Sequence, residues 1–97
     1  YTKWMAIEMA QRYGDGLRVN AIAPGVFLTV QNKGLLLNED GSFAERTGKF
    51  VTNTPFGRLG LPEELSGTVI WLLSDASRFV TGEIVLVDGG FNVYSGV

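Results

Sequence analysis

The sequence predicts an α/β fold in which parallel strands alternate with helices, as in a portion of a doubly wound sheet. Two apolar runs and one shortage carry that expectation. Val19-Asn20-Ala21-Ile22-Ala23 is almost continuously apolar, as a strand covered by helices on both faces requires. It stops at Pro24-Gly25, because proline has no N–H with which to continue a central ladder. A second run covers residues 83–87, and a helical pattern over 62–74 separates it from the first. Strands separated in this way are expected to be parallel neighbours joined by a right-handed crossover. The shortage is of covering elements. Two strands and two helices cannot cover both faces of a sheet, so the 97 residues are expected to be a piece of a larger doubly wound domain.

The element order is helix, strand, lid, helix, strand. Residues 1–13 form the first helix, with Tyr1, Trp4, Met5 and Met9 on one apolar stripe that Ala6, Ala10 and Tyr13 widen. Glu8 and Arg12 stand one turn apart and are expected to pair, and Gly14 and Gly16 supply the stop. Residues 17–23 form the first strand. Its Pro24-Gly25 exit lies where open α/β sheets bind ligands, beyond the carboxyl ends of the strands, with an ordinary turn as the alternative.

Residues 27–53 form a long excursion, with Leu35-Leu36-Leu37 and Phe43-Ala44 as two short helical turns around the break Asn38-Glu39-Asp40-Gly41. An insertion at this position is expected to be a lid or substrate wall, with a solvated surface loop as the alternative. Thr54-Pro55-Phe56-Gly57-Arg58-Leu59-Gly60 is a loop. Pro62 opens the second helix, Glu63 and Glu64 suit its positive end, and Leu65, Val69, Leu72 and Leu73 make its inward stripe. Asp88-Gly89-Gly90 closes the second strand, and residues 91–97 form a short tail.

Composition narrows the chemistry. A net charge of −2 offers no stripe for a polyanion, so nucleic acid is not an expected partner. No apolar run approaches membrane-spanning length, and neither a membrane partner nor a signal peptide is expected. The chain has no cysteine, which fits the cytoplasm. With neither histidine nor cysteine, a Ser-His-Asp triad, a cysteine nucleophile and a His/Cys zinc site are excluded within these residues. Tyr1 and Lys3 are two apart and point to different sides of a helix, so they do not form a catalytic pair. No catalytic residue and no metal ligand is expected here. Gly14 with Gly16, and Gly57 with Gly60, do not sit between a strand and a helix and are not dinucleotide fingerprints.

Taken together and in order, several motifs resemble the C-terminal part of a short-chain dehydrogenase/reductase with a Rossmann-type sheet. They are Leu17-Arg18-Val19-Asn20-Ala21-Ile22-Ala23-Pro24-Gly25, Phe56-Gly57-Arg58 before Pro62-Glu63-Glu64, Leu72-Leu73-Ser74-Asp75-Ala76-Ser77 with Val80-Thr81-Gly82, and Val87-Asp88-Gly89-Gly90. The lid motif Asn38-Glu39-Asp40-Gly41-Ser42, the loop Thr54-Pro55-Phe56-Gly57-Arg58 and the tail from Gly90 to Val97 most resemble the D-mannonate (fructuronate) oxidoreductase members.

The resemblance implies an NAD- or NADP-dependent oxidoreductase that interconverts a hydroxyl and a carbonyl on a small molecule such as a sugar acid. A 3-oxoacyl-carrier-protein reductase or another sugar or polyol dehydrogenase is the alternative within the family. By position it implies that Pro24 and Gly25 lie beside the nicotinamide, that the Val26 backbone meets the carboxamide, and that the Thr29 hydroxyl bonds the carboxamide or pyrophosphate. For Thr29, helix capping is the alternative role. Phe27, Gln31 and Arg46 are placed on the substrate side, with Arg46 as the partner of a carboxylate or else a solvated lid charge. Arg58 and Asp88 are assigned structural roles. The family's glycine-rich loop, catalytic serine and tyrosine-lysine pair have no counterpart in residues 1–97. The resemblance also implies a homodimer or tetramer through residues 62–74 and 83–87. A reading from another class is a non-catalytic interaction module, whose apolar helix stripes and open strand edge bind another chain.

Overall fold

A computed structural model describes residues 1–95; Gly96 and Val97, the end of the tail that entered the family resemblance, lie outside the described residues. The elements are α1 (Thr2–Tyr13), β1 (Ala21–Pro24), α2 (Lys33–Leu36), α3 (Glu45–Thr52), α4 (Glu63–Leu73) and β2 (Ile84–Val87), with single 3₁₀ turns at Gly14–Gly16, Asp75–Ser77 and Phe91–Val93. The two strands are parallel, with Ala21 opposite Ile84, Ile22 opposite Val85, Ala23 opposite Leu86 and Pro24 opposite Val87. The expected pairing and element order are both present.

The first strand is shorter than residues 17–23, and side chains explain why. Arg18 donates to the carbonyls of Val80, Leu72 and Ser74. The Val19 N–H donates to Thr81 Oγ1, and Asn20 donates through Nδ2 to the Val80 carbonyl while its Oδ1 accepts from the Glu83 N–H. Residues 18–20 therefore run beside 80–83 tied mainly by side chains, with one backbone bond from the Gly82 N–H to the Val19 carbonyl at 2.8 Å. The regular ladder follows from Ala21, whose N–H donates to the Glu83 carbonyl. Arg18 also places its charge on the carbonyls at the end of α4, where the helix dipole favours a cation. The ladder ends as the proline requires. Pro24 is the last strand residue, and the next N–H, that of Gly25, donates to the Val87 carbonyl at 2.9 Å.

α1 ends at Gly14, whose φ of 71° is the left-handed conformation that glycine adopts without strain. Glu8 and Arg12 pair at 2.6 Å on its outer side. The inward face of α1 is Met5, Ala6, Met9 and Ala10, whereas Tyr1, Trp4 and Tyr13 of the expected stripe are exposed. On α4, Leu65 and Leu72 are half-buried, but Val69 lies open and Leu73 is 81% exposed. Two strands about 5 Å apart are too narrow to cover the whole apolar face of either helix. Among the described residues, the buried hydrophobic side chains are Ala6 and Leu59. The accessible surface is 7186 Å², against about 5,400 Å² for a compact monomer of this mass. Apolar faces on both helices therefore stay open. Among the described residues, no helix is long and apolar enough to cross a membrane.

Residues 27–53 contain two helical segments on either side of a tight turn, but Phe43-Ala44, expected to be helical, lie in the extended stretch before α3, which begins at Glu45 and runs eight residues. Leu37 and Phe43 pair antiparallel across the turn. Inside it, Asp40 accepts from the Ser42 N–H and hydroxyl, which holds its carboxyl below the usual range.

At the strand exit, a Cβ on Gly25 would stand 2.9 Å from both Cα and Cβ of Asp88. Gly25→Ala is thus expected to push the two strand ends apart and destabilise the intact protein by about 1–3 kcal/mol. Denaturant unfolding checks this, and a variant as stable as the parent contradicts the contact.

Candidate functional site

The carboxyl ends of β1 and β2 open into a cavity of about 150 Å³. Gly25, Val26 and Phe27 form one wall and Val87, Asp88 and Gly89 a second; Thr54, Phe56, Arg58, Leu59, Gly60 and Glu64 complete it. Ligand sites usually enclose about 300–1,000 Å³, so this cavity has the size of one end of a site.

The strand exit continues past Pro24 by pairing with a second segment. The Gly60 N–H donates to the Val26 carbonyl at 3.0 Å, and the Leu28 N–H donates to the Gly60 carbonyl at 2.9 Å. The Phe27 ring lies against Gly60, where a Cβ would come within 2.5 Å of it. Among the described residues, nothing accepts a hydrogen bond from the Val26 N–H. That donor stands at the cavity wall.

Thr29 braces the turn that leads into α2 through reciprocal bonds. Its Oγ1 accepts from the Asn32 N–H at 3.2 Å, and Asn32 Oδ1 accepts from the Thr29 N–H at 2.7 Å. This is the logic of a capping box, with asparagine in the returning position. Asn32 Nδ2 also donates to the Phe27 carbonyl, tying the cap to the cavity wall. Thr29 thus caps the turn before α2 and not the helix itself, whose flanking residue is Asn32 with no side-chain cap. The Thr29 hydroxyl hydrogen has no acceptor among the described residues.

The sequence-derived candidates separate into two groups. Gly25, Val26 and Phe27 line the cavity, with Pro24 directly before them at the strand end. Thr29, Gln31 and Arg46 do not line it. Gln31 is exposed in the turn before α2, and the Arg46 guanidinium lies 5.8 Å from the ring centre of Phe50 on α3. The side of Gly25 where a side chain would project is filled by Asp88, so its small size serves strand packing. Asp88 itself accepts from the N–H groups of Gly90 and Asn92.

Thr54, Phe56, Leu59, Gly60, Glu64, Val87 and Gly89 also line the cavity, and the sequence reading had not placed them in the site. Of these, Leu59, Gly60 and Glu64 reach the cavity by the pairing of Gly60 with residues 26–28, which no local pattern announces. Arg58 grips Glu64 with two bonds of 2.7 Å, and Glu64 Oε1 also accepts from the Leu61 N–H at 2.9 Å. The Arg58 bonds first, and the Leu61 N–H second, hold the Glu64 carboxyl down at about 2. Among the described residues, no three acidic side chains converge as a metal site would need.

A model of the family described as Enoyl-(Acyl carrier protein) reductase matches residues 1–92. The chain belongs to the short-chain dehydrogenase/reductase family. An uncharacterized oxidoreductase of Bacillus subtilis, UxuB, is 55% identical over 98 residues, which cover 100% of this chain and 34% of that protein. A Haemophilus influenza protein provisionally named D-mannonate oxidoreductase, solved with bound NAD, superposes with a TM-score of 0.87 at 44% identity over 99% of this chain and 34% of its own. An Agrobacterium Tumefaciens protein provisionally named 2-deoxy-D-gluconate 3-dehydrogenase, solved with bound NADP, gives a TM-score of 0.79 at 35% identity, covering 95% of this chain and 34% of its own. The short-chain dehydrogenase/reductase chain described here thus spans about a third of the length of these relatives.

The Arg58–Glu64 pair has a defined acid response. A carboxylate whose folded pKa is depressed contributes stability that is complete above its unfolded value of 4.5 and lost as the pH falls toward 2. The pair is half exposed, so the effect is modest. Stability curves of the intact protein and Glu64→Gln are expected to keep a constant gap above about pH 5 and to converge below it. Urea unfolding across that range checks this, and a gap that persists unchanged to pH 2 contradicts it.

Proposed function

We propose that this chain is the C-terminal third of an NAD(P)-dependent oxidoreductase that interconverts a hydroxyl and a carbonyl on a sugar acid of the fructuronate or mannonate type. One observation carries the proposal: an unused Val26 N–H stands beside the cavity at the carboxyl ends of two parallel strands, one turn before the Thr29 hydroxyl with its unused hydrogen. Residues 24–29 contain no charged side chain, which suits a neutral carboxamide. Names given to two solved relatives, with NAD or NADP bound, agree with a nicotinamide cofactor and a sugar-acid substrate.

When bound, the nicotinamide supplies the hydride chemistry. The chain's own residues hold and orient. The Val26 N–H donates to the carboxamide oxygen, the Thr29 hydroxyl donates to the carboxamide or pyrophosphate, and Pro24 and Gly25 form the floor. Residues 27–53 act as the lid, with Phe27 and Gln31 toward the substrate and Arg46 offering a two-pronged cation to its carboxylate. Exposed Ile70 and Leu73 on α4, and Ile84 and Leu86 on β2, supply the contact between copies in a homodimer or tetramer.

Two variants of the intact enzyme test cofactor and substrate separately. Thr29→Val keeps the shape and is expected to weaken nicotinamide binding by about 1–2 kcal/mol. Unchanged affinity and kinetics argue against its role. Arg46→Met is expected to cost about 1.5–3 kcal/mol in kcat/KM for an acidic keto-sugar and to spare its uncharged analogue. An equal loss on both compounds assigns Arg46 to lid folding, and no loss on either removes it from the site.

A further inference from the structure

The ion pair of Arg58 and Glu64 is built more carefully than its exposure warrants. Half-exposed pairs contribute little to stability as a rule, yet this one is two-pronged and fastened to the backbone at two further points. Arg58 Nη1 donates to the Leu59 carbonyl at 3.1 Å, and Glu64 Oε1 accepts from the Leu61 N–H at 2.9 Å. Those two contacts fall on either side of Gly60. The clamped residue is the one whose N–H and carbonyl bridge Val26 and Leu28, and against which the Phe27 ring rests.

We propose that Arg58 and Glu64 are positioning residues for cofactor binding: they fix the Gly60 segment against residues 26–28, and so fix the direction of the Val26 N–H. The inference rests on the nicotinamide reading above and adds to it a pair that lines the cavity and acts through the Gly60 segment. Its physical basis is preorganisation. A backbone donor cannot be aimed by its own side chain, so its direction is set by what its neighbouring carbonyl and N–H groups are bonded to. The Gly25 N–H is held by the Val87 carbonyl and the Val26 carbonyl by the Gly60 N–H, so the peptides on both sides of the one between Gly25 and Val26 are fixed and limit how that peptide can turn. Glycine at position 60 allows the Phe27 ring to close over the bridge but brings a flexible backbone. The clamp limits that freedom from both sides of Gly60.

The test uses the intact protein with Arg58→Gln, Glu64→Gln, the double variant and Arg58→Lys, which keeps the charge and loses the fork. Affinity for NADH and NADPH is measured by fluorescence titration, and amide hydrogen exchange is read at Gly60 and Leu28 without nucleotide. Each glutamine variant is expected to bind its nucleotide about tenfold more weakly. The double variant is expected to be no worse than either single, because the two side chains form one device. Exchange at Gly60 and Leu28 is expected to quicken in all three, with Arg58→Lys intermediate in both readouts. Affinities within about twofold of the parent overturn the proposal, as does a loss of affinity with exchange unchanged. If the glutamine variants do not fold, Arg58→Lys carries the same comparison alone. A parent protein that binds neither nucleotide overturns the nicotinamide reading, and this inference with it.

Discussion

The parallel register that sets Pro24 opposite Val87 governs the functional end of the chain. Because both strands stop at the same level, Gly25 and Asp88 come into van der Waals contact and the two exits diverge around one cavity. Proline enforces the stop on one side, and the Asp88-Gly89-Gly90 turn enforces it on the other. In that turn Asp88 accepts from two backbone N–H groups, and Gly89 and Gly90 adopt φ values of 63° and 94°. A slip of one residue would separate Gly25 from Asp88 and send alternate side chains to the wrong face. The side-chain ties of Arg18 and Asn20 to residues 72–83 guard against such a slip from the opposite end.

From that fixed floor, the site is assembled by successive backbone pairings. Gly60 extends the β1 exit by one bridge, Asn32 ties the Phe27 carbonyl to the cap at Thr29, and the Gly89 carbonyl accepts from the Phe56 N–H. Helix α3 meets the segment after β2 through the ring of Phe50, which lies 5.8 Å from that of Phe91. The unused donors at the strand exit are thus the Val26 N–H and the Thr29 hydroxyl, each on a segment held by its neighbours. Elsewhere the helices present apolar faces that a two-stranded sheet cannot cover, in accord with a chain that spans a third of its relatives' length.

Much of this was legible in the sequence because it depends on local chemistry. An apolar run ending in proline marks β1, a proline followed by two glutamates marks the start of α4, and Gly14 marks the end of α1. The parallel pairing followed from a helix lying between two apolar runs. Other features were not legible because they depend on distant partners. Arg18 reads only as a residue of the first strand, yet its side chain binds the carbonyls at the end of α4. Gly60 reads as a loop glycine, yet it continues the sheet. Thr29 reads as either a helix cap or a ligand contact, and the structure has it bracing the turn before α2 through Asn32 while leaving its hydroxyl hydrogen unused. The stripes on α1 and α4 were correct in period but too wide, since periodicity does not report how much sheet lies beneath a helix.

The central claim is that the strand exit at Gly25–Thr29 holds a nicotinamide. Nuclear magnetic resonance of the labelled intact protein tests it at single residues during titration with NAD and NADP. The account predicts that the amide signals of Val26 and Thr29 shift in step with saturation, while that of Gly14, at the far end of α1, stays in place. Saturable binding that leaves Val26 and Thr29 unmoved contradicts it.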